Sequence, residues 1–199
     1  NVFNHSDKPS DFLRGIYNLL KDDGIYIFEQ PDFAIGATSL KFDQIYHEHV
    51  SYFTSKNIEN ILKNNELKPI EIIKNGYHGG SLRSIAVKKR SNKYRIRYNK
   101  NKFKKFDKIY NLNFFKSMVK KIDNKKLFFM KKIYTLKKNG YTICGIGAGA
   151  KANTFLTYYN LNNTIVKFLT DSSKFKQNKF TPLTRIQIKD DKEIKKYKK

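Results

Sequence analysis

The spacing of apolar residues over 1–90 predicts two helices. Ser10 is a candidate N-cap for the first helix, and Thr54 or Ser55 is a candidate N-cap for the second. A hydroxyl at such a position can accept a hydrogen bond from a free backbone N–H group. The residues expected to face the core are Phe12, Leu13, Ile16, Leu19 and Leu20 in the first helix and Ile58, Ile61 and Leu62 in the second.

Three short apolar runs in the same section predict strands. They are Ile25–Phe28, which Pro31 ends, Pro69–Ile73 and Leu82–Val87. The first run is apolar at every position, so it is expected to be buried on both faces. Only a loop joins the last two strands, which predicts an antiparallel pair. This order of elements is how the second half of a doubly wound α/β sheet can end.

The second section, 91–138, is basic at its start and has helical spacing later. Apolar residues recur at three- and four-residue steps, which predicts a helix that packs on the third section. The pattern has some heptad content, but it favours such a helix over a coiled coil. The residues of this stripe are Phe103, Phe106, Tyr110, Phe114, Met118, Ile122, Phe129 and Ile133.

The third section, 139–199, predicts a strand, a loop, a helix and a second strand. The strands are expected at Tyr141–Cys144 and Ile165–Leu169, and the helix is expected to begin at Lys151. The loop between the first strand and the helix, Gly145–Ala150, contains three glycines. This section therefore has the pattern of a β-α-β unit.

The glycine loop has the spacing of a phosphate-binding turn. Gly145, Gly147 and Ala150 fit G-x-G-x-x-A, and Asp171 follows the next strand. Where side chains are missing, a phosphate can approach backbone N–H groups at a helix N-terminus, where the helix dipole favours an anion. The motif predicts a Rossmann-like unit without choosing among NAD, S-adenosylmethionine and a nucleotide sugar. The alternative is that the glycines only permit close packing of strand and helix.

Composition narrows the class of protein. The 199 residues are 39% apolar, with 16 Phe and 13 Tyr, which suffices for a core in one large or two small domains. Cys144 is the only cysteine, which excludes an intrachain disulfide and fits a reducing cytoplasm. We find no run long enough to span a membrane and no leader that resembles a signal peptide, so we expect a cytoplasmic protein without a membrane partner.

The formal charge of +24 raises the question of nucleic-acid binding, because lysine-rich surfaces bind polyanions by releasing counterions. Lysine supplies nearly all of this charge and is dispersed along the chain, among the Asn, Ile, Phe and Tyr that a genome poor in G and C accumulates. Nucleic acid is therefore not expected as a physiological partner, although nonspecific adhesion in vitro is.

Four proton-active side chains stand together at Tyr46-His47-Glu48-His49, in a chain with four histidines. Their groups cover the pKa range that proton transfer at neutral pH requires. If the segment is extended, Tyr46 and Glu48 face one side and the imidazoles the other, so at least one residue is structural; His47 is the candidate. A metal site completed by His78 is an alternative, but no fourth ligand is evident.

Three sequence blocks resemble those of the S-adenosylmethionine-dependent C-methyltransferases that act on nucleotide-linked deoxysugars, such as the C-3 methyltransferases. They are Ile45–Phe53 (IYHEHVSYF), His78–Arg83 (HGGSLR) and Gly145–Thr154 (GIGAGAKANT). The third block departs at Ile146, Gly149 and Ala152 from the family's usual G-Y-G-A-P-A-K-G-N-T. The order and spacing of the blocks also agree, so the resemblance covers essentially the whole chain.

The resemblance implies the C-terminal half of such an enzyme. It implies that 1–90 is the second half of a class I methyltransferase Rossmann-like domain, that 91–138 is a basic helical linker, and that 139–199 is a smaller Rossmann-like α/β domain that binds a nucleotide sugar. Family members also carry an N-terminal zinc-binding module and a glycine-rich loop for S-adenosylmethionine, and this sequence has neither. With Asn1 rather than Met at its start, the chain is expected to be a fragment that lacks an N-terminal half.

The implied reaction is methyl transfer from S-adenosylmethionine to a carbon next to the ketone of the sugar, for which dTDP is the expected nucleotide. A base removes the proton alpha to the ketone, and the enolate attacks the methyl group. His49 is the expected base, and Tyr46 is expected to donate to the developing oxyanion or bind a sugar hydroxyl. Glu48 is expected to orient the sugar or an imidazole, and His5, at the end of an expected strand, to be another active-site histidine.

Other residues are expected to bind the substrate. His78 fits a substrate loop or a simple turn, and Arg83 could pair with a phosphate or a carboxylate. The pyrophosphate is expected in the third section, where Asp171 either holds a ribose hydroxyl or caps the following turn. The residues expected around the pyrophosphate are Gly145, Gly147 and Gly149, with charge from Lys151 and hydrogen bonds from Asn153.

Two other functions stay open at this stage. An NAD-dependent or other nucleotide-binding Rossmann enzyme would explain the glycine loop, but not the segment from Tyr46 to His49. A non-catalytic basic binding module would explain only the charge.

Overall fold

The computed structural model describes residues 1–99, 101, 103, 109 and 111–197. They form two compact units. Unit 1 contains Asn1–Phe42 and the described residues of His47–Met118, and unit 2 contains Asp43–Tyr46 and the described residues from Val119 onward. Within the described part of the chain, no helix is both long and apolar enough to cross a membrane.

Unit 1 is built on a three-stranded antiparallel sheet. Its strands, β1 (Ile25–Pro31), β2 (Leu67–Asn75) and β3 (Ser81–Lys88), lie in the order β1-β3-β2. The antiparallel pairing predicted for the last two strands is confirmed. The helices of the unit are α1 (Pro9–Leu19), α2 (Phe33–Thr38) and α3 (Ser55–Asn64).

The core of unit 1 lies on one face of this sheet. Phe3 is at its centre, with ring centroids 4.8 Å from Phe53 and 5.2 Å from Phe28. Leu13 and Ile58 are fully buried and bring α1 and α3 against the same cluster. The aromatic rings thus join the N-terminal segment, β1 and the segment before α3 into one packed body.

Helix α1 begins earlier than predicted. Its N-cap is Lys8, without a side-chain hydrogen bond, so the prediction of Ser10 as the cap is wrong. Pro9 explains the difference, because its fixed φ suits the first helical position. Leu19 is the last residue of α1 and is exposed, contrary to the predicted inward stripe. The predicted cap of α3 is confirmed, since the Thr54 hydroxyl accepts the Asn57 N–H.

Strand β1 is not buried on both faces as predicted. Phe28 and Gln30 face the core, whereas the alternate residues Ile25 and Ile27 are exposed, Ile27 to 59%. The apolar sequence concealed this alternation because it does not show that the strand belongs to an antiparallel sheet, in which one face packs on the core and the other can face solvent.

Unit 2 contains most of a long helix and a small parallel sheet. The helix α4 (Leu112–Lys138) confirms the predicted helical stretch. Its Met118, Ile122 and Ile133 are buried, as predicted for the stripe. Phe129 packs on the third section, with its ring 5.6 Å from Phe155. Phe103 packs against the core of unit 1, and Phe106 and Tyr110 lie outside the described residues.

The parallel sheet has the order β4-β5-β6, with β4 (Cys144–Ile146), β5 (Phe168–Thr170) and β6 (Ile188–Lys189). Helix α5 (Ala150–Tyr158) lies between β4 and β5 in sequence, as predicted.

Both predicted strands of this unit begin too early in sequence. Tyr141 N–H donates to Leu136 O and therefore belongs to the end of α4, while Ile165 N–H donates to Asn162 O within a turn. Neither residue is free to pair along a strand.

Candidate active site

The imidazoles of His5 and His49 come together in unit 1, although 43 residues separate them in sequence. Their ring centroids are 5.1 Å apart and the rings meet edge to face, at 83°. Ser51 N–H donates to Asn4 O at 3.1 Å, which holds the loop after His49 against the N-terminal segment. His5 ends a 3-10 turn, Phe3–His5, and not a strand as predicted.

The segment from Tyr46 to His49 is not extended. It forms a bend and a turn, so the expected alternation of its side chains between two faces does not apply. His47 is 85% exposed, with Nε2 3.9 Å from an oxygen of the exposed Glu48. His49 is half-buried and its ring centroid is 6.4 Å from that of Tyr52. Tyr46 belongs to unit 2 and is half-buried.

An imidazole in the position of His49 has the surroundings of a general base. Its neighbours include the aromatic ring of Tyr52 and a second imidazole, and part of the ring is accessible. A neutral imidazole is available near neutral pH and can accept a proton there. In the described part of the chain, no three His, Cys, Asp or Glu side chains are grouped so that they could hold a metal ion.

The loop between β2 and β3 carries His78 on a tight turn. His78 adopts a left-handed backbone conformation with φ of 49°, and its ring centroid lies 4.2 Å from that of Tyr77. Gly80, at φ of 129°, lies against α2: an added Cβ would be 2.7 Å from Ile35 Cγ2. These contacts explain the glycines of the loop by backbone conformation and close approach. His78 itself is exposed.

Arg83 pairs with a carboxylate. Its Nε donates to Glu29 Oε2 at 2.9 Å, and Asn75 Nδ2 donates to the same oxygen at 3.0 Å. Glu29 and Arg83 are directly opposite each other on β1 and β3, so strand register brings the pair together. The sequence allowed Arg83 to pair with either a phosphate or a carboxylate, and in the structure it pairs with a carboxylate.

The glycine loop of unit 2 divides into residues with different roles. Gly145 lies within β4, where an added Cβ would be 2.5 Å from Leu169 Cδ2 of the neighbouring strand. Gly147 has φ of 89° and its N–H donates to Thr170 O at 2.7 Å. Gly149 is the N-cap of α5 and provides no side-chain cap, which leaves room at the helix N-terminus for an anion. Lys151 and Asn153 are half-buried in the first turn of α5.

Asp171 binds the backbone of the glycine loop and of the turn after β5. Its carboxylate accepts Ser173 N–H and Ala148 N–H, each at 2.9 Å, and Lys176 Nζ at 3.1 Å. The two backbone hydrogen bonds, followed by Lys176, hold the pKa of Asp171 below its usual value. The sequence allowed Asp171 either to bind a ribose hydroxyl or to cap the following turn, and the contact with Ser173 is such a cap. The contact with Ala148 connects the end of β5 to the glycine loop.

Sequence reasoning missed three buried polar residues of unit 1. Asn4, Gln30 and Asp32 are buried, and Asp32 N-caps α2 by accepting Ala34 N–H at 2.9 Å. Burial raises the pKa of the Asp32 carboxyl, although Lys74 Nζ, 3.6 Å away, opposes this. The signal was available: Glu29-Gln30-Pro31-Asp32 places polar residues where a strand ends, and ligands often bind there in α/β proteins.

The chain is similar to known methyltransferases. Residues 76–199 match the family model described as the C-methyltransferase C-terminal domain, and residues 1–72 match the methyltransferase domain model. The chain is 23% identical over 189 residues to C-methyltransferase NovU from Streptomyces niveus, which covers 94% of the chain and 45% of that protein. The chain thus spans less than half the length of that relative. Because the first family model alone covers more than half of the chain, the chain belongs to the C-methyltransferase family.

Proposed function

We propose that the chain is the acceptor-side part of a C-methyltransferase that methylates a carbon alpha to the ketone of a nucleotide-linked deoxysugar. The observation that carries the proposal is the meeting of the His5 and His49 imidazoles. Two histidines so far apart in sequence are brought to one place beside a surface loop, in a protein of a C-methyltransferase family. Carbon methylation needs a base at the acceptor carbon, and an imidazole can provide it.

His49 is the general base in this proposal. Its neutral imidazole takes the proton alpha to the ketone and becomes imidazolium, while the C–H electron pair moves into an enolate. His5, edge to face with His49, orients the ring, and Tyr46 and Glu48 contact the sugar or its developing oxyanion. Preorganised hydrogen-bond donors at this oxygen lower the barrier, because they stabilise the charge that develops in the transition state.

S-adenosylmethionine is the usual donor of methyltransferase domains and supplies an electrophilic methyl group when bound. The described residues of unit 1 do not fit it by themselves. The paired glycines of this unit, Gly79 and Gly80, form the turn packed on α2 and not a loop that leads from a strand into a helix. The residues of this chain therefore act on the acceptor.

The nucleotide diphosphate is proposed to bind unit 2, and dTDP is the expected nucleotide. In this proposal unit 2 is a small Rossmann-like domain that follows a helical linker. Gly149 leaves the first backbone N–H groups of α5 without a side-chain cap, Gly147 turns the chain before them, and Lys151 and Asn153 add a charge and an amide. Asp171 retains acceptor capacity for a ribose hydroxyl beyond its backbone contacts. Gly145 contributes indirectly, since it lies inside β4 and allows β5 to approach.

Deuterium exchange at the acceptor carbon tests the base without a methyl donor. The wild-type chain should accelerate exchange, in D₂O, of the protons alpha to the ketone of a dTDP-linked 4-keto-6-deoxyhexose, followed by proton NMR. His49→Ala should lower the rate by about 100- to 10,000-fold, the typical contribution of a general base.

His47→Ala is the matched control, because His47 is two residues away and exposed. It should leave the exchange rate close to that of the wild type. Retention of more than about a tenth of the rate by His49→Ala would contradict the assignment, given the size of base catalysis. Binding of the nucleotide sugar should be nearly unchanged in both variants.

A further inference from the structure

Two buried amides of unit 1, Asn4 beside His5 in the sequence and Gln30 on β1, have no hydrogen-bond partner among the described residues. Asn4 is 3% exposed and Gln30 is fully buried, and both polar atoms of each side chain are unsatisfied. A buried polar atom without a partner costs about 1–3 kcal/mol, so most proteins satisfy nearly all of them. Four such atoms in one part of a unit therefore call for an explanation.

The two amides border one aromatic cluster. Asn4 directly follows Phe3, whose ring packs 5.2 Å from Phe28 and 4.8 Å from Phe53. Gln30 lies two residues after Phe28 on the same face of β1. Asn4 also directly precedes His5, and the 3-10 turn Phe3–His5 that carries both residues packs against β1.

We propose that the Asn4 and Gln30 amides bind the ketone oxygen of the acceptor sugar and donate hydrogen bonds to it as the enolate forms. This inference rests on the proposed function and assigns the oxyanion donors of the same reaction. Amide N–H groups in a place without water stabilise developing negative charge more strongly than they would in solvent. The surrounding rings of Phe3, Phe28 and Phe53 provide such a place.

The loop that follows His49 is hydrogen-bonded to the backbone that carries the Asn4 amide. Ser51 N–H donates to Asn4 O, and Ser51 Oγ donates to Ser6 O at 3.5 Å, a long bond. In this proposal, the ketone enters where these two contacts open. Entry of the sugar there would bring its ketone to the amide and its alpha carbon toward His49.

The test replaces each amide by an apolar side chain of similar shape, as Asn4→Leu and Gln30→Met, in the full chain. If the amides have no hydrogen-bond partner until a ligand binds, each variant should melt at a higher temperature than the wild type, because a buried unsatisfied group is removed. Each should also exchange the alpha protons of the dTDP-linked ketosugar about 100-fold more slowly or worse, the loss typical for one oxyanion donor.

Ser84→Ala is the matched control. Ser84 is fully buried on β3 opposite Phe28, and its hydroxyl is also without a partner. Its removal should stabilise the chain similarly or be neutral, and it should leave the exchange rate unchanged. The control thus separates relief of an unsatisfied group from loss of a group that contacts the substrate.

Several outcomes would overturn the inference. Exchange by Asn4→Leu and Gln30→Met within about threefold of the wild-type rate, far from the loss expected of an oxyanion donor, would mean that the amides hold buried water only. A lower melting temperature for both would mean that they are satisfied within the protein. If His49→Ala abolishes exchange while these variants retain it, only this inference fails; if the wild-type chain gives no exchange, the proposed function fails with it.

Discussion

Asp171 shows at the residue scale how one side chain can hold a loop and a turn together. Its two oxygens accept backbone N–H groups from the glycine loop and from the turn after β5. Each bond favours the charged carboxylate, which is why the pKa of Asp171 lies below its usual value. Folding therefore stabilises the ionised form over the protonated form.

Asp171→Asn should lower the free energy of unfolding at neutral pH by about 1–3 kcal/mol, since an amide can accept through only one oxygen. The wild-type carboxylate stabilises the fold fully above its unfolded pKa of about 3.9 and loses this effect as pH falls through the lower folded pKa. The difference between variant and wild type should therefore shrink below about pH 4. Urea unfolding at several pH values measures it.

Asp190→Asn is the control for this comparison. Asp190 accepts one backbone N–H, from Lys192 at 2.8 Å, and is exposed. Its substitution should change stability less at every pH. An equal loss in both variants would contradict the argument that the two backbone contacts of Asp171 are the cause.

The sequence could identify His49 and His5 but not their geometry. Both positions follow from the resemblance, whereas their edge-to-face contact joins segments that are distant in sequence, as the Ser51–Asn4 hydrogen bond also does. The partner of Arg83 was open in the sequence because Glu29 is opposite only once the strand register is known. Asn4 was missed because no sequence pattern indicates that a single asparagine is buried.

At the scale of elements, local chemistry decided which boundaries could be predicted. Thr54 caps α3 as expected, whereas Pro9 moved the start of α1 ahead of Ser10. The two strands predicted in unit 2 started too early in the sequence. Hydrogen bonds to other parts of the fold, and not the run of apolar residues, decide where a strand begins to pair. The elements that were predicted occur in the predicted order, since turn residues separate the periodic segments, whereas α2 and β6 were not predicted.

Two glycines of the glycine loop allow the effect of backbone conformation on stability to be measured without an effect of side-chain packing. An added Cβ would meet nothing within 4 Å at either Gly147 or Gly149, but Gly147 has φ of 89° and Gly149 has φ of −80°. Gly147→Ala should therefore destabilise the chain by about 1–2 kcal/mol, the cost of a left-handed L-residue. Gly149→Ala should be nearly neutral, because alanine is only slightly poorer than glycine at an N-cap.

Chemical denaturation of both variants measures this difference. Equal stability of the two would mean that the loop relaxes to accept a side chain, and the distinct roles assigned to Gly147 and Gly149 would then fail. The result also bears on the alternative that the glycines serve only close packing. That explanation fits Gly145, which lies against Leu169, and not the two open positions.

At the scale of the whole molecule, the formal charge of +24 and the two units have to be considered together. The charge alone would support a basic binding module, but lysines occur in both units rather than in one segment. The family match assigns both parts of the chain to methyltransferase models. Charge then determines how strongly any polyanion adheres, and not which ligand the glycine loop selects.

Salt dependence should separate these two kinds of binding. Adhesion to duplex DNA releases many counterions, so its affinity should fall steeply, by about 1000-fold or more, between roughly 50 mM and 200 mM salt. A dTDP-sugar has only two phosphates and contacts oriented N–H groups, so its affinity should change far less. Fluorescence anisotropy with labelled DNA and calorimetry with the dTDP-sugar measure the two curves. DNA affinity that survives the higher salt, together with loss of the nucleotide sugar, would instead favour the basic binding module.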